Sequence, residues 1–270
     1  MKTWGRGLLM GAIALFMVLP LLWLLSTALK SPAENLFQQP PRWWPENPTL
    51  VNFQGVWQAV PFLRYTLNST VVAVGATACH GVLCALTAYP LARMSFVGRR
   101  PLFWAIVATS AIPFQVTLLP LYLLATGWGL KNTYLGLMLP YLISPFGIFL
   151  LRQALAGVPQ ELEEAARLDG CSALGIWWDV LLPATLPAQI TVALIAFLGV
   201  WGDFLWPLAL IDNPDRQTLP LAIAQLAGAF GTNWRWVAAG SVLALLPVVA
   251  LYLVAQRFIV PAETTRGLKG

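Results

Sequence analysis

The sequence predicts an all-α integral membrane protein with six transmembrane helices and one large polar loop between the fourth and the fifth. Three observations carry that expectation. Hydrophobic residues make up 58% of the 270-residue chain and charged residues only 10%, against about 25% charged in soluble domains, and the mean hydropathy is +0.70. A water-soluble fold of this size would have too few polar side chains to cover its surface. The uncharged runs each reach the ~20 residues that an α-helix needs to cross hydrocarbon, and none alternates as a barrel strand would.

In chain order the spans fall at residues 8–29, 67–92, 101–126, 132–151, 184–211 and 236–256, within one domain covering residues 1–270. The first run follows Lys2 and Arg6 and ends in small residues at 26–28, the outline of a cleavable signal peptide. Its 22 uncharged residues exceed the roughly 7–15 of a signal's apolar region, so it is read as a helix. Seven of the prolines inside the runs, Pro90, Pro113, Pro120, Pro140, Pro145, Pro207 and Pro247, each remove a backbone donor and invite a kink that neighbours must satisfy. Such breaks serve as hinges or as static packing features.

Lys and Arg orient the bundle. With both termini inside, ten of the sixteen basic residues lie on the inner side, among them Arg93, Arg99, Arg100, Arg152 and Arg167, and six lie outside. The net charge of +5 then reports topology; the basic, aromatic-interleaved stripe of a nucleic-acid binder is missing. The outer segment, residues 30–64, carries Trp43, Trp44 and Trp57, which suit the headgroup level of the lipid. Cys79, Cys84 and Cys171 form no CxxC and read as small apolar residues. His80 has no second His or carboxylate three or four residues away, so it reads as a packed histidine rather than a metal ligand. No metal site is expected.

The fourth-to-fifth loop, residues 157–183, is the most informative stretch. Residues 158–187 hold Glu161, Glu163, Glu164, Asp169 and Asp179, five of the chain's eleven acidic residues. Pro159 suits a first helical position, Gln160, Glu161 and Glu163 complement the positive end of a helix dipole, Arg167 can pair with Glu163, and Gly170 can take a left-handed cap. Ser172 can then cap a second short helix. Leu162, Ala165, Ala166 and Asp169 fall on one stripe. The stripe fits equally a docking surface and a face resting on the chain's own bundle.

Glu164-Ala165-Ala166, Gly170 after three residues, then Val180, Leu182-Pro183 and Pro187 resemble the EAA loop of permease subunits of binding-protein-dependent ABC importers. That family prefers Ile at the position of Val180. "YLISPFGIFLLRQ" (141–153), "WGDFLWPLALI" (201–211), "TLPLAIAQL" (218–226) and the tail at 256–270 are similar to its carbohydrate branch, in particular the six-helix, maltose-permease-like partner subunit, whose members often carry Asn or Gln where this chain has Gly202. The resemblance covers essentially the whole chain. It implies a multi-pass protein of a bacterial or archaeal cytoplasmic membrane whose loop forms a coupling helix, with Glu164, Ala165, Ala166, Asp169, Gly170, Leu182 and Pro183 as the coupling residues. The implied partners are a second, homologous permease, two ABC ATPase subunits that bind ATP and Mg, and an extracytoplasmic solute-binding protein. The chain itself contains no GxxxxGK[ST] motif, so no cofactor is expected in it.

Asp203 is the single carboxylate within a predicted span. A charge there costs ~2.5–3.5 kcal/mol on insertion scales, so it should face water or a polar partner. Trp201, Phe204 and Trp206 beside it offer aromatic faces on which sugar rings stack. Lining of a substrate pathway and a structural hydrogen bond both fit. The preferred function is the translocation subunit of an importer of a sugar, polyol, glycoside or glycerol derivative, without catalytic residues of its own. The alternative is a stand-alone secondary carrier or channel, for which relays of intramembrane ionisable groups and an internal repeat would be expected; the sequence displays neither.

Overall fold

The computed structural model describes residues 2–228 and 232–264, and among these every regular element is helical. In chain order they are α1 (Lys2–Leu29), α2 (Val51–Ala59), α3 (Phe62–Arg93), α4 (Arg99–Ala108), α5 (Phe114–Gly127), α6 (Tyr134–Met138), α7 (Pro145–Ala156), α8 (Gln160–Leu168), α9 (Ala173–Gly175), α10 (Leu182–Ala184), α11 (Leu186–Trp201), α12 (Leu205–Leu210), α13 (Leu219–Gln225) and α14 (Trp234–Thr264). The part of the sequence-matched tail beyond Thr264 lies outside the described residues.

Three stretches, Gly5–Leu29, Phe62–Arg93 and Trp234–Phe258, are uninterrupted and apolar enough to cross a membrane. At 1.5 Å per residue the shortest of them is about 38 Å long, more than the ~30 Å of the hydrocarbon. Three more candidates are broken: Arg99–Ala111 and Phe114–Gly127 meet at 100°, Tyr134–Tyr141 and Pro145–Ala156 at 55°, and Ala173–Ala184 and Leu186–Trp201 at 78°. The protein therefore has up to six spans if each bent pair counts as one.

The breaks separate the prolines that act from those that do not. Pro90, Pro120 and Pro247 sit inside continuous helices. Bends occur where the residue before a proline is extended, as at Ile112 before Pro113 and Ser144 before Pro145, because the pyrrolidine ring disfavours the helical region there. The third bend lies at Thr185, which is not extended (φ −105°, ψ 10°) and stands two residues before Pro187, where α11 has already begun; Pro187 is outside the seven of the sequence reading. The run 184–211 likewise stops at Trp201, passes through a turn, and resumes as the short α12.

Two compact units are present. In the first, residues 1–67 with 218–249, Ala28, Val56, Phe62, Leu221, Ala222, Ala238 and Ala239 are buried. Asn52 donates to the carbonyls of Ala28 and Lys30, both at 2.8 Å, satisfying the open end of α1. The Lys30 ammonium is buried under the Trp23 ring, 4.5 Å from its centroid, and donates to the Arg42 carbonyl at 2.7 Å. Burial pushes its pKa below the ordinary lysine range, opposed by the charge of Glu34.

In the second unit, residues 68–217 with 250–270, α3 and α7 approach closely. A Cβ on Gly147 would stand 2.8 Å from His80 Nε2 and 2.9 Å from Cys84 Sγ, so only glycine fits. The core there joins Cys84, Ala88, Leu91, Ile148, Leu151 and Leu155 to Val158, Ala166, Ile176, Trp177, Leu181 and Val192. The α8 loop is thus packed on the helices it connects.

Candidate functional site

The loop between α7 and α11 is a folded unit. Pro159 precedes α8, Glu161 and Glu163 lie in its first turn and Arg167 in its last, each sign matched to the helix dipole. At the far end Gly170 takes φ +84°. The Gly170 amide bonds the Arg167 carbonyl at 3.1 Å and the Cys171 amide the Ala166 carbonyl at 3.0 Å, the paired closure of a Schellman cap. Ser172 Oγ accepts from the Gly175 amide at 3.2 Å and starts α9. A π-helical stretch, Ile176–Leu181, then runs into α10.

The stripe read from the sequence divides between two faces. Ala166 is buried in the core with Ile176 and Trp177, and Glu163 is buried beside it. Leu162, Glu164, Ala165, Asp169 and Gly170 are exposed. Leu182 packs partly on the core, and the exposed Pro183 leads into the bend before α11. Three further apolar side chains of the loop are exposed, unannounced by helical spacing: Leu168 at 90%, Leu174 at 72% and Trp178 at 65% exposure. Their sequence signal was weak, because they come from three different elements.

Glu163 is also the centre of the loop's charges. Arg93, the last residue of α3, brings Nε to 2.7 Å from Glu163 Oε1, with side chains only 8% and 5% exposed. The Nε–H is not aimed along this contact, so attraction between charges holds it. The same guanidinium donates to the Val158 carbonyl, and Arg167 reaches the other Glu163 oxygen at 3.4 Å.

The second candidate site is built differently. Asp203 follows the end of α11, and its two carboxylate oxygens accept from the amides of Leu205 and Trp206, each at 3.2 Å. It thereby caps α12, and the Tyr141 phenol, at the α6–α7 break, lies near enough to interact with the carboxylate. Trp206 is fully buried, its indole N–H bonded to the Gly136 carbonyl at 2.9 Å and its ring edge-on to Phe114 at 6.4 Å. Trp201 is buried and stacks on Phe197, centroids 5.6 Å apart. Phe204 and Asp203 are only half-buried. In this conformation both tryptophans spend their faces on their own chain.

His80 is packed, as its isolation in the sequence implied. One ring nitrogen lies 2.8 Å from the Tyr141 carbonyl, freed by the break, and the other 3.2 Å from Ser144 Oγ, which itself caps α7. Beside it a cavity of about 300 Å³ is lined by His80, Tyr141, Ser144, Phe146, Val192 and Gly199. Among the described residues no group of three or more His, Cys, Asp or Glu is placed to hold a metal.

The family of binding-protein-dependent transport system inner membrane components matches residues 80–264 of this chain. The chain belongs to that family. The permease is 34% identical to the sulfoquinovosyl glycerol transport system permease protein SmoH of Agrobacterium fabrum, over 93% of this chain and 88% of that one. It is 34% identical to the arabinooligosaccharides transport system permease protein AraQ of Halalkalibacterium halodurans, over 84% and 81%, and 32% identical to the diacetylchitobiose uptake system permease protein DasC of Streptomyces coelicolor, over 96% and 95%. Its fold is also that of a chain in the crystal structure of a bacterial ABC transporter involved in the import of the acidic polysaccharide alginate, with a TM-score of 0.82 at 22% identity, covering 95% of this permease and 96% of that chain.

Proposed function

We propose that this permease is the translocation-pathway subunit of an ATP-driven importer for a carbohydrate or a near relative, and that the α8 loop seats a cytoplasmic ATPase. Both termini then face the cytoplasm, a second permease completes the pathway, two ATPase subunits bind ATP and Mg, and an extracytoplasmic solute-binding protein delivers the cargo. The chemistry of hydrolysis lies outside this chain, which supplies the path and the lever.

The observation that carries the reading is the two-faced α8 loop. One face is anchored by Ala166 and Glu163, while the other exposes Leu162, Ala165, Leu168, Leu174 and Trp178 on a stretch too polar to enter lipid. Large apolar side chains left exposed on a polar, capped scaffold are what a protein partner covers. The cargo class rests on relatives whose names specify a glycosyl glycerol and two oligosaccharides.

Copurification tests the docking. Ala165→Trp, on the exposed face, should leave the amount of permease in the membrane unchanged while the ATPase subunits are lost on purification. Retention of the ATPase at parental stoichiometry together with parental uptake would remove the assignment. Solute flux in liposomes containing this polypeptide alone would instead establish a carrier.

A further inference from the structure

We propose that Arg93 is the positioning residue that latches the α8 loop to α3, so that movement imposed on α8 is delivered to that span as well as to the helices joined to the loop by the chain. The inference rests on the docking role assigned to α8 above.

The chain connects α8 to α7 on one side and, through α9 and α10, to α11 on the other; no covalent segment of the loop ties it to α3. Arg93 supplies that tie at two points. It faces Glu163 on the inward side of α8 at 2.7 Å, and it donates to Val158, just ahead of Pro159 where the helix begins. Both side chains are nearly inaccessible, whereas Lys131 and Asp212, also an ion pair, are 37% and 67% exposed.

Burial decides what such a pair does. Its desolvation cost offsets most of its attraction, so it adds little net stability, and its best-attested use is to fix register. The apolar contacts of Ala166 with Ile176 and Trp177 tolerate small slides, but a buried guanidinium whose charge is offset by one carboxylate, and which donates to one carbonyl, is left uncompensated if it moves away from them. Glu163 is held from the opposite side by Arg167, itself 60% exposed, so the inner partner is shared between the loop and the span. From Arg93 the continuous α3 runs thirteen residues back, about 20 Å, to His80, which bonds the carbonyl at the break between α6 and α7. A shift of α8 therefore has a stiff element leading to a broken span.

The test measures whether α8 and the end of α3 move together. Spin labels are placed at Val97, just beyond α3, and Gln160, the first residue of α8, both exposed and neither on the apolar surface assigned to the ATPase, in a background lacking the native three cysteines. Distances are read in the assembled transporter, without nucleotide and after trapping with ATP and vanadate. The expected result is one narrow distance, unchanged by trapping, in the parental complex; a broad one in Glu163→Gln; and recovery of the narrow distance when Arg93→Glu is combined with Glu163→Arg. Should Glu163→Gln fail to reach the membrane, Arg93→Met with Glu163→Leu removes both charges without stranding either and should be broad as well. A parental width in either charge-removed variant, or an exchanged pair as broad as Glu163→Gln, overturns the latch. The nucleotide-free widths do not depend on where the ATPase binds, so a narrow parental distance with α8 immobile relative to the bundle on trapping, followed by a second label at Val82, would sink the docking role instead.

Discussion

Glu163 and Asp203 are both carboxylates set among apolar side chains, and the protein handles them in opposite ways. Glu163 is closed in by Arg93 and Arg167 and sits on the inner face of a helix whose outer face is open. Asp203 is half-buried and spends both oxygens on backbone amides of the next helical turn, with the Tyr141 phenol against it. The aromatic residues differ in the same sense. Trp178 of the α8 loop is exposed, whereas Trp201 and Trp206 near Asp203 are turned inward. One region anchors itself in order to present a surface; the other folds its polar and aromatic groups back on itself. A carboxylate with aromatic neighbours is therefore not by itself a ligand site, since the same groups serve equally well to repair a broken helix.

Substitutions at the two regions should separate these roles. The largest effect is expected from Gly170→Val, since a β-branched residue at φ +84° costs roughly 1 kcal/mol or more and removes the cap that orients α9. ATPase retention and uptake should fall at least tenfold with the permease still inserted, because the loop lies at the bundle's end; parental uptake would reduce the loop to a surface feature. Next comes Trp206→Phe, which leaves the Gly136 carbonyl unbonded in a buried site at a cost of about 1–3 kcal/mol. It should lower the midpoint of thermal unfolding in detergent without altering solute selectivity; a change in selectivity would return Trp206 to the pathway.

A smaller effect is expected at Asp203. Asparagine caps a helix about as well as aspartate, while loss of the cap costs typically ~1 kcal/mol. Asp203→Asn should therefore retain parental stability and Asp203→Ala should not. Apparent affinity for solute then decides the open question: unchanged affinity in Asp203→Asn leaves Asp203 a cap, and a severalfold change makes its charge part of the pathway. The smallest effect belongs to Lys131→Ala. Its partner Asp212 raises the Lys131 pKa, but the pair is exposed and screened by water, so neither unfolding nor uptake should change measurably.

Residues with local consequences were legible from the chain. Gly170 and Ser172 act within a few residues of themselves, so their capping roles followed from type and spacing alone, whereas Pro159, expected at the first helical position, stands one residue ahead of α8 with an extended ψ of 138°; the uncharged runs marked the helices because an apolar solvent leaves the backbone no other partner. The family was legible too, through Glu164-Ala165-Ala166, Gly170 and Leu182-Pro183. Prolines were less readable: seven were candidates for a break, yet the bends formed just before Pro113 and Pro145 and at Thr185, because a kink depends on what the surrounding helices can satisfy.

What the sequence by itself determined is thus the solvent, the helices and the capped loop, all consequences of residue type and short-range spacing. Which face of α8 points outward was decided only by tertiary structure. Ala165 and Ala166 are adjacent and chemically identical, but Ala166 meets a core assembled from α3, α7 and the π-helical stretch, and Ala165 does not. The partnership of Arg93 with Glu163 was equally invisible, since seventy residues separate them and nothing in either neighbourhood names the other. Burial and long-range charge pairing depend on how distant segments pack, and that packing is a property of the folded chain as a whole.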